Sequence, residues 1–266
     1  MALSDALQDL AQRVSNWGRW GAGDQRGTLN FISPDATRRG AACVRRGVSF
    51  SLAIPFDADG PQTGSIPGRI NPQRRVLTFN TSYTGDPSDF TTTDDAFEMG
   101  TQAATHWDAL AHAGYDGLLY NGIADSANTE AGASKLGIEH FGPIVTRGLL
   151  LDIARLHGVD ALAPGTPIGA ADLDAAASRA NVAVESGDIV LVRTGHMHLL
   201  RTGDKASFVG NAPGLGVGSI QWLHDNEVAA VATDTLALEV WPPEDPKSML
   251  PVHMLNLRDQ GLVQGQ

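Results

Sequence analysis

Residues 187–196, GDIVLVRTGH, constrain the fold more than any other stretch. A Gly-Asp turn delivers the chain into Ile189, Val190, Leu191 and Val192, and such a bounded aliphatic, β-branched run reads as a strand. VAAVATDTLALE (228–239) reads as a second strand, and VSFSLAI (48–54) and RVLTFNTSY (75–83) as two more by alternation. A further buried strand covers 142–154, interrupted at Gly148.

Helical signals lie between them. Ser4 opens a helix ending near Val14, and Ser33-Pro34-Asp35 open another running towards Arg45 that Gly47 stops. Residues 172–182, 219–227 and 251–263 read as helices, the last ended by Gly261. The 30 glycines and 14 prolines imply many turns, and no βαβ rhythm or repeat is evident. The expected fold is therefore α/β (α+β), a mixed, largely antiparallel sheet or barrel flanked by helices. One domain over 1–266 is expected, with residues 1–34 as an arm anchored by Trp17 and Trp20.

Composition excludes several classes. A formal net charge of -11 disfavours nucleic acid and anionic membranes as partners. No apolar run of spanning length occurs, and the amino-terminal segment lacks a signal peptide's apolar stretch. Cys43 is the only cysteine, which excludes an intrachain disulfide and a cysteine zinc site and suits a reducing cytoplasm. No G-x-S-x-G elbow points to a serine hydrolase.

The chemistry-bearing segment is Thr105-His106-Trp107-Asp108-Ala109-Leu110-Ala111-His112. Imidazole nitrogen and carboxylate oxygen are donors suited to Zn²⁺, Mn²⁺ or Fe²⁺. His106 and Asp108 are two apart, so on extended backbone both point to one face. If a helix begins near Asp108, His112 lies one turn on and faces the same cavity as a general base. The bland alternative is a hydrogen-bonded His–Asp pair. Elsewhere, His196 and His198 read as a surface pair, and Asp234, in a buried strand, as structural.

Residues 100–122, GTQAATHWDALAHAGYDGLLYNG, resemble the signature H-x-G-T-H-x-D-x-P-x-H of the cyclase family of metal-dependent hydrolases, which includes bacterial kynurenine formamidase and isatin hydrolase. NWGRWGAGDQRGTLNFI resembles the amino-terminal stretch of an actinobacterial and fungal branch, GDIVLVRTG the family's central strand, and LPVHMLNLRDQGLVQGQ its carboxy-terminal helix and turn. The resemblance implies a swivelling β/β/α fold, metal ligation by Gln102, His106 and Asp108, and catalysis by His112. His253 and Gln266 match second-metal or pocket positions, and Trp17, Trp20, Trp107, Phe97 and Tyr115 would line a substrate pocket. Gln102 stands where the family has His, Ala104 where it has Gly, Leu110 where it has Pro, and Gln266 where it has Glu. These departures favour one Mn²⁺ or Zn²⁺ per chain over two. The implied activity is hydrolysis of an amide, cyclic amide or lactone in a small, ring-containing molecule by a homodimer or homotetramer. A dehydratase or cyclase acting on a polyketide-like ring, or a non-catalytic small-molecule-binding protein, are the alternatives.

Overall fold

The structure is a computed structural model and describes residues 3–266. The chain forms two compact units: the residues up to Ser49 together with Trp107–Gln266, and Phe50–His106.

The smaller unit is built on an antiparallel hairpin of β1 (Gln73–Ser82) and β2 (Thr91–Glu98), paired from Gln73–Glu98 to Ser82–Thr91 with register shifts between Val76 and Thr78 and between Thr78 and Thr81. The alternation read over 75–83 is β1, and its partner β2, rich in threonine and aspartate, carries too weak an apolar pattern to be read alone. Phe79 and Phe97 on this hairpin are exposed. The strand expected over 48–54 is not formed: the segment has no ladder partner, and Val48, Phe50 and Leu52 are exposed. Alternation prepares a strand, but a strand exists only where a neighbour accepts its hydrogen bonds.

In the larger unit α1 (Asp5–Val14) buries Leu7, Leu10, Ala11 and Val14, one face at helical spacing. Ser4 occupies its N-cap position without a hydroxyl bond to the helix. The Ser33 hydroxyl does cap α2 (Pro34–Ala42), accepting the Ala36 N–H at 3.1 Å, and this helix ends before Arg45 and Gly47. The remaining strands are β3 (Trp107–Asp108), the β4–β5 pair (Asn128–Thr129, Gly132–Ala133), β6 (Gly148–Asp152), β7 (Pro167–Ile168), β8 (Ile189–Arg193), β9 (Gly214–Leu215), β10 (Ala230–Thr233) and β11 (Val263–Gly265). The helices are α3 (Ile153–Leu156), α4 (Ala170–Ala180), α5 (Met197–Arg201), α6 (Lys205–Phe208), α7 (Ile220–Asp225) and α8 (Pro251–His253), which runs into a π-helical stretch, Met254–Gln260.

Five strands make the central sheet, in the order β3-β11-β10-β8-β6. It is mixed, as expected, but its interior is parallel: β6 pairs with β8, β8 with β10 and β10 with β11 in parallel, and only β3 joins β11 antiparallel. Among the described residues it is an open sheet rather than a barrel. Each parallel step is bridged by a helical connection, the route such pairs require. Strand patterning does not carry strand direction, so the antiparallel balance expected from sequence is corrected here. One face of the sheet packs Leu151, Val190, Val192 and Val231 against Leu7, Leu10, Leu173 and Leu223 of α1, α4 and α7. A second core gathers Leu29, Leu110, Tyr120, Leu136, Phe141, Leu257 and Val263. No helix of the described residues is long and apolar enough to cross a membrane.

Candidate active site

Asp108 ends β3 and is buried, opposite Gln264 of β11. Its Oδ2 accepts N–H bonds from the side-chain amides of Gln264 at 3.2 Å and Gln266 at 3.3 Å. Two imidazoles face the same carboxylate: His112 Nε2 lies 3.8 Å from Oδ1, and His253 Nε2 lies 3.8 Å from Oδ2. The helix entertained at Asp108 is absent. Residues 109–112 form a turn closed by the His112 N–H to the Ala109 carbonyl at 2.9 Å, and this turn carries His112 back towards Asp108.

Three chain segments thus meet at one carboxylate. Gly261 makes this happen at the carboxy-terminal end. Its φ of 65° lies in the left-handed region, and a Cβ there would stand 2.4 Å from the Tyr120 ring. The turn ends the π-helical stretch and sends the chain into β11, where Gln264 and Gln266 reach Asp108. Gly265 lies between these two glutamines, and a Cβ on it would meet the Trp107 ring at 2.9 Å. Behind Gln264 runs a buried amide chain: Asn256 donates to Gln264 at 3.4 Å, and Gln260 donates to Asn256 at 3.2 Å and to the Ile220 carbonyl at 3.1 Å.

His253 is held by Glu239, whose Oε1 contacts its ring Nδ1 at 2.5 Å. Glu239, Asn256 and Gln264 were not singled out from sequence as site residues. Their polarity in segments that read as buried was the available signal, since a buried polar group needs a partner.

Gln102 and His106 belong to the smaller unit, where the Thr101 hydroxyl donates to the Gln102 amide oxygen at 2.8 Å. His106 Nδ1 donates to the Ala104 carbonyl at 2.7 Å. A carbonyl only accepts, so Nδ1 carries the proton of this bond. On His253 the same ring nitrogen faces the Glu239 carboxylate. Metal-ligating histidines characteristically donate their other ring N–H in this way. Asp108 and His253, both of the larger unit, are donors that fit a divalent ion in kind. Among the described residues, no three or more His, Cys, Asp or Glu side chains are gathered into a ready-made cage.

The aromatic candidates separate. Trp17 and Tyr115 line one cavity of about 600 Å³ with Asp116, Arg258 and Asp259. There the Tyr115 hydroxyl donates to Asp259 at 2.7 Å, Arg258 donates to Asp259 at 2.6 Å, and the guanidinium lies 3.9 Å from the Tyr115 ring centre. Burial is the main cause that pushes the Asp259 carboxyl up to about 6, and burial likewise raises the Tyr115 hydroxyl. Trp20 packs edge-on against Phe31 at 5.0 Å, Trp107 is partly exposed on β3, and Phe97 sits on β2 near Phe56 at 6.2 Å. Trp17 Nε1 donates to the Arg258 carbonyl at 2.6 Å. His196 is not a surface residue: it is buried, with Nε2 on the Phe208 carbonyl at 3.1 Å and its ring stacked on Phe208. Asp234 is structural, accepting from the Thr194 N–H and hydroxyl, both at 2.7 Å, and from the Gly195 N–H at 2.8 Å.

Comparison with known proteins agrees with this architecture. Residues 43–240 match the cyclase family model. A crystal structure described as that of a novel cyclase is 36% identical, covering 96% of this chain and 85% of that chain, with a TM-score of 0.85. Isatin hydrolase A from Ralstonia solanacearum is 18% identical over 88% of this chain and 84% of its own, with a TM-score of 0.60. Isatin hydrolase A from Labrenzia aggregata is 17% identical over 82% and 78%, with a TM-score of 0.58. At these last two identities the likeness is one of fold. No protein of curated function matches the sequence significantly. With three quarters of its length on the family model and a solved relative covering nearly all of it, the chain belongs to the cyclase family.

Proposed function

We propose that the protein is a metal-dependent hydrolase opening an amide, cyclic amide or lactone bond in a small, ring-containing molecule. The observation that supports it most is the buried Asp108 carboxylate faced on its two oxygens by His112 and His253. Asp108 and His253 would hold a divalent ion, Mn²⁺ or Zn²⁺, and the part of His106 and Gln102 in holding it is read from sequence alone. Bound there, such an ion supplies Lewis-acid polarisation of a carbonyl and a lower pKa for water. One ion per chain is favoured, because Gln266 spends its amide as a hydrogen-bond donor to Asp108 where the family pattern has a carboxylate.

His112 is the general base. Its half-buried ring takes a proton from the attacking water as the water oxygen bonds the carbonyl carbon. When the C–N or C–O bond breaks, the same ring returns that proton to the leaving nitrogen or oxygen. Asp108, 3.8 Å away, favours the imidazolium formed in between. Fold likeness to proteins named isatin hydrolase is in keeping with a cyclic amide as substrate. Exposed Phe79 and Phe97 support self-association as a homodimer or homotetramer, and the single cysteine suits a reducing cytoplasm.

Elemental mass spectrometry on the purified protein, joined to product mass analysis on formamides, lactones and cyclic imides, tests the reading. The expected result is about one Mn or Zn per chain, lost in Asp108→Ala, with one water added to the product. His112→Ala should keep the ion and lose about 10²–10⁴-fold in kcat. A protein that takes up no divalent metal and adds no water to any of these compounds overturns it.

A further inference from the structure

We propose that Glu239 is a positioning residue: it holds His253 in the tautomer and orientation that turn Nε2 towards Asp108. The inference deepens the hydrolase reading and rests on it for the effect on turnover.

Glu239 is buried, and its backbone is pressed against Gly214, where a Cβ would stand 2.4 Å from the Glu239 carbonyl carbon. The carboxylate has three donors: Oε2 accepts the Val252 N–H at 3.1 Å, and Oε1 accepts the His253 N–H at 2.9 Å and the ring Nδ1–H at 2.5 Å. Pro251 opens α8 and has no N–H, so Val252 and His253 carry the first orphan donors of that helix. Glu239 caps α8 from a distant segment while gripping a side chain on it. A carboxylate oxygen accepts, so Oε1 takes the Nδ1 proton and turns Nε2 towards Asp108, 3.8 Å away.

One oxygen serves His253 twice: Oε1 takes both its backbone N–H and its ring Nδ1–H. Glu239→Gln keeps both bonds when its amide oxygen stands at that place, and gives up the Val252 N–H. Glu239→Leu removes every acceptor, so the ring proton moves to Nε2, where Asp108 draws it.

Long-range ¹H–¹⁵N correlation spectra of the imidazoles in the full-length protein read this directly, with the His253 signals identified by their loss in His253→Gln. The wild type should show His253 protonated at Nδ1. Glu239→Leu, folded by circular dichroism, should shift it to Nε2–H and lower kcat about 10–100-fold with KM little changed. Glu239→Gln, which keeps an oxygen acceptor, should retain the Nδ1–H form and recover part of the turnover. A wild-type His253 protonated at Nε2, or an unchanged tautomer in Glu239→Leu, overturns the proposal. A tautomer switch in a protein whose wild type hydrolyses nothing supports the positioning role while removing the hydrolase reading.

Discussion

Asp259 shows how one residue's surroundings become a measurable pH dependence. It is buried beside Tyr115 and Arg258, and burial outweighs both partners, lifting its carboxyl from 3.8 to about 6. A carboxyl raised on folding binds its proton more tightly in the folded state. Its contribution to stability is fully present below the unfolded value near 3.8 and is lost as pH rises through about 6. At roughly 1.4 kcal/mol per unit, the loss is at most about 3 kcal/mol. Asp259→Asn lacks this titration. The wild-type thermal midpoint, referred to that variant, should therefore fall between pH 4 and 7, and a difference that stays flat would mean the carboxyl is not raised.

At the scale of elements, the turn at Gly261 does what neither the helix before it nor the strand after it can do. It sits at φ 65°, ends the π-helical stretch and starts the return into β11. Alanine there takes on the left-handed penalty of about 1–2 kcal/mol and drives a methyl group into the Tyr120 ring. Gly261→Ala should lose about 2 kcal/mol or more in urea unfolding. It should also weaken activity, because Gln264 and Gln266 reach Asp108 only through this turn. A variant as stable and active as the wild type would show that β11 finds its register without it.

Across the larger unit, distant segments are tied by one buried carboxylate. Asp188, just before β8, accepts from Arg147 Nε at 3.0 Å and Nη2 at 2.6 Å, from Arg39 on α2 at 3.2 Å, and from the Glu185 N–H at 2.8 Å. The Asp188 bond is also the leading cause that raises the Arg147 guanidinium pKa. Glu185 stands 3.0 Å from Arg147 and offsets part of any loss. Removing one partner of a buried pair typically costs about 3–5 kcal/mol because the other charge is left stranded. Asp188→Asn should fall near the lower end of that range in urea unfolding, and a change below about 1 kcal/mol would show that the arginines find other partners.

The chain by itself determined what depends on neighbours in sequence. Turn residues and β-branched runs marked β1, β8 and β10; periodic apolar residues and caps marked α1, α2 and α4; and the spacing of Asp108 and His112 marked two side chains that lie 3.8 Å apart. What only the tertiary structure decided depends on pairing at long range. It left 48–54 without a partner, made the sheet interior parallel through its helical connections, and replaced a helix at Asp108 by a turn. It also chose which buried polar groups satisfy one another. Glu239 meets His253, 14 residues away, and Gln264 meets Asp108, 156 residues away. A hydrogen bond between buried groups is specified by both partners at once, and no local pattern in a single sequence records where the second partner lies.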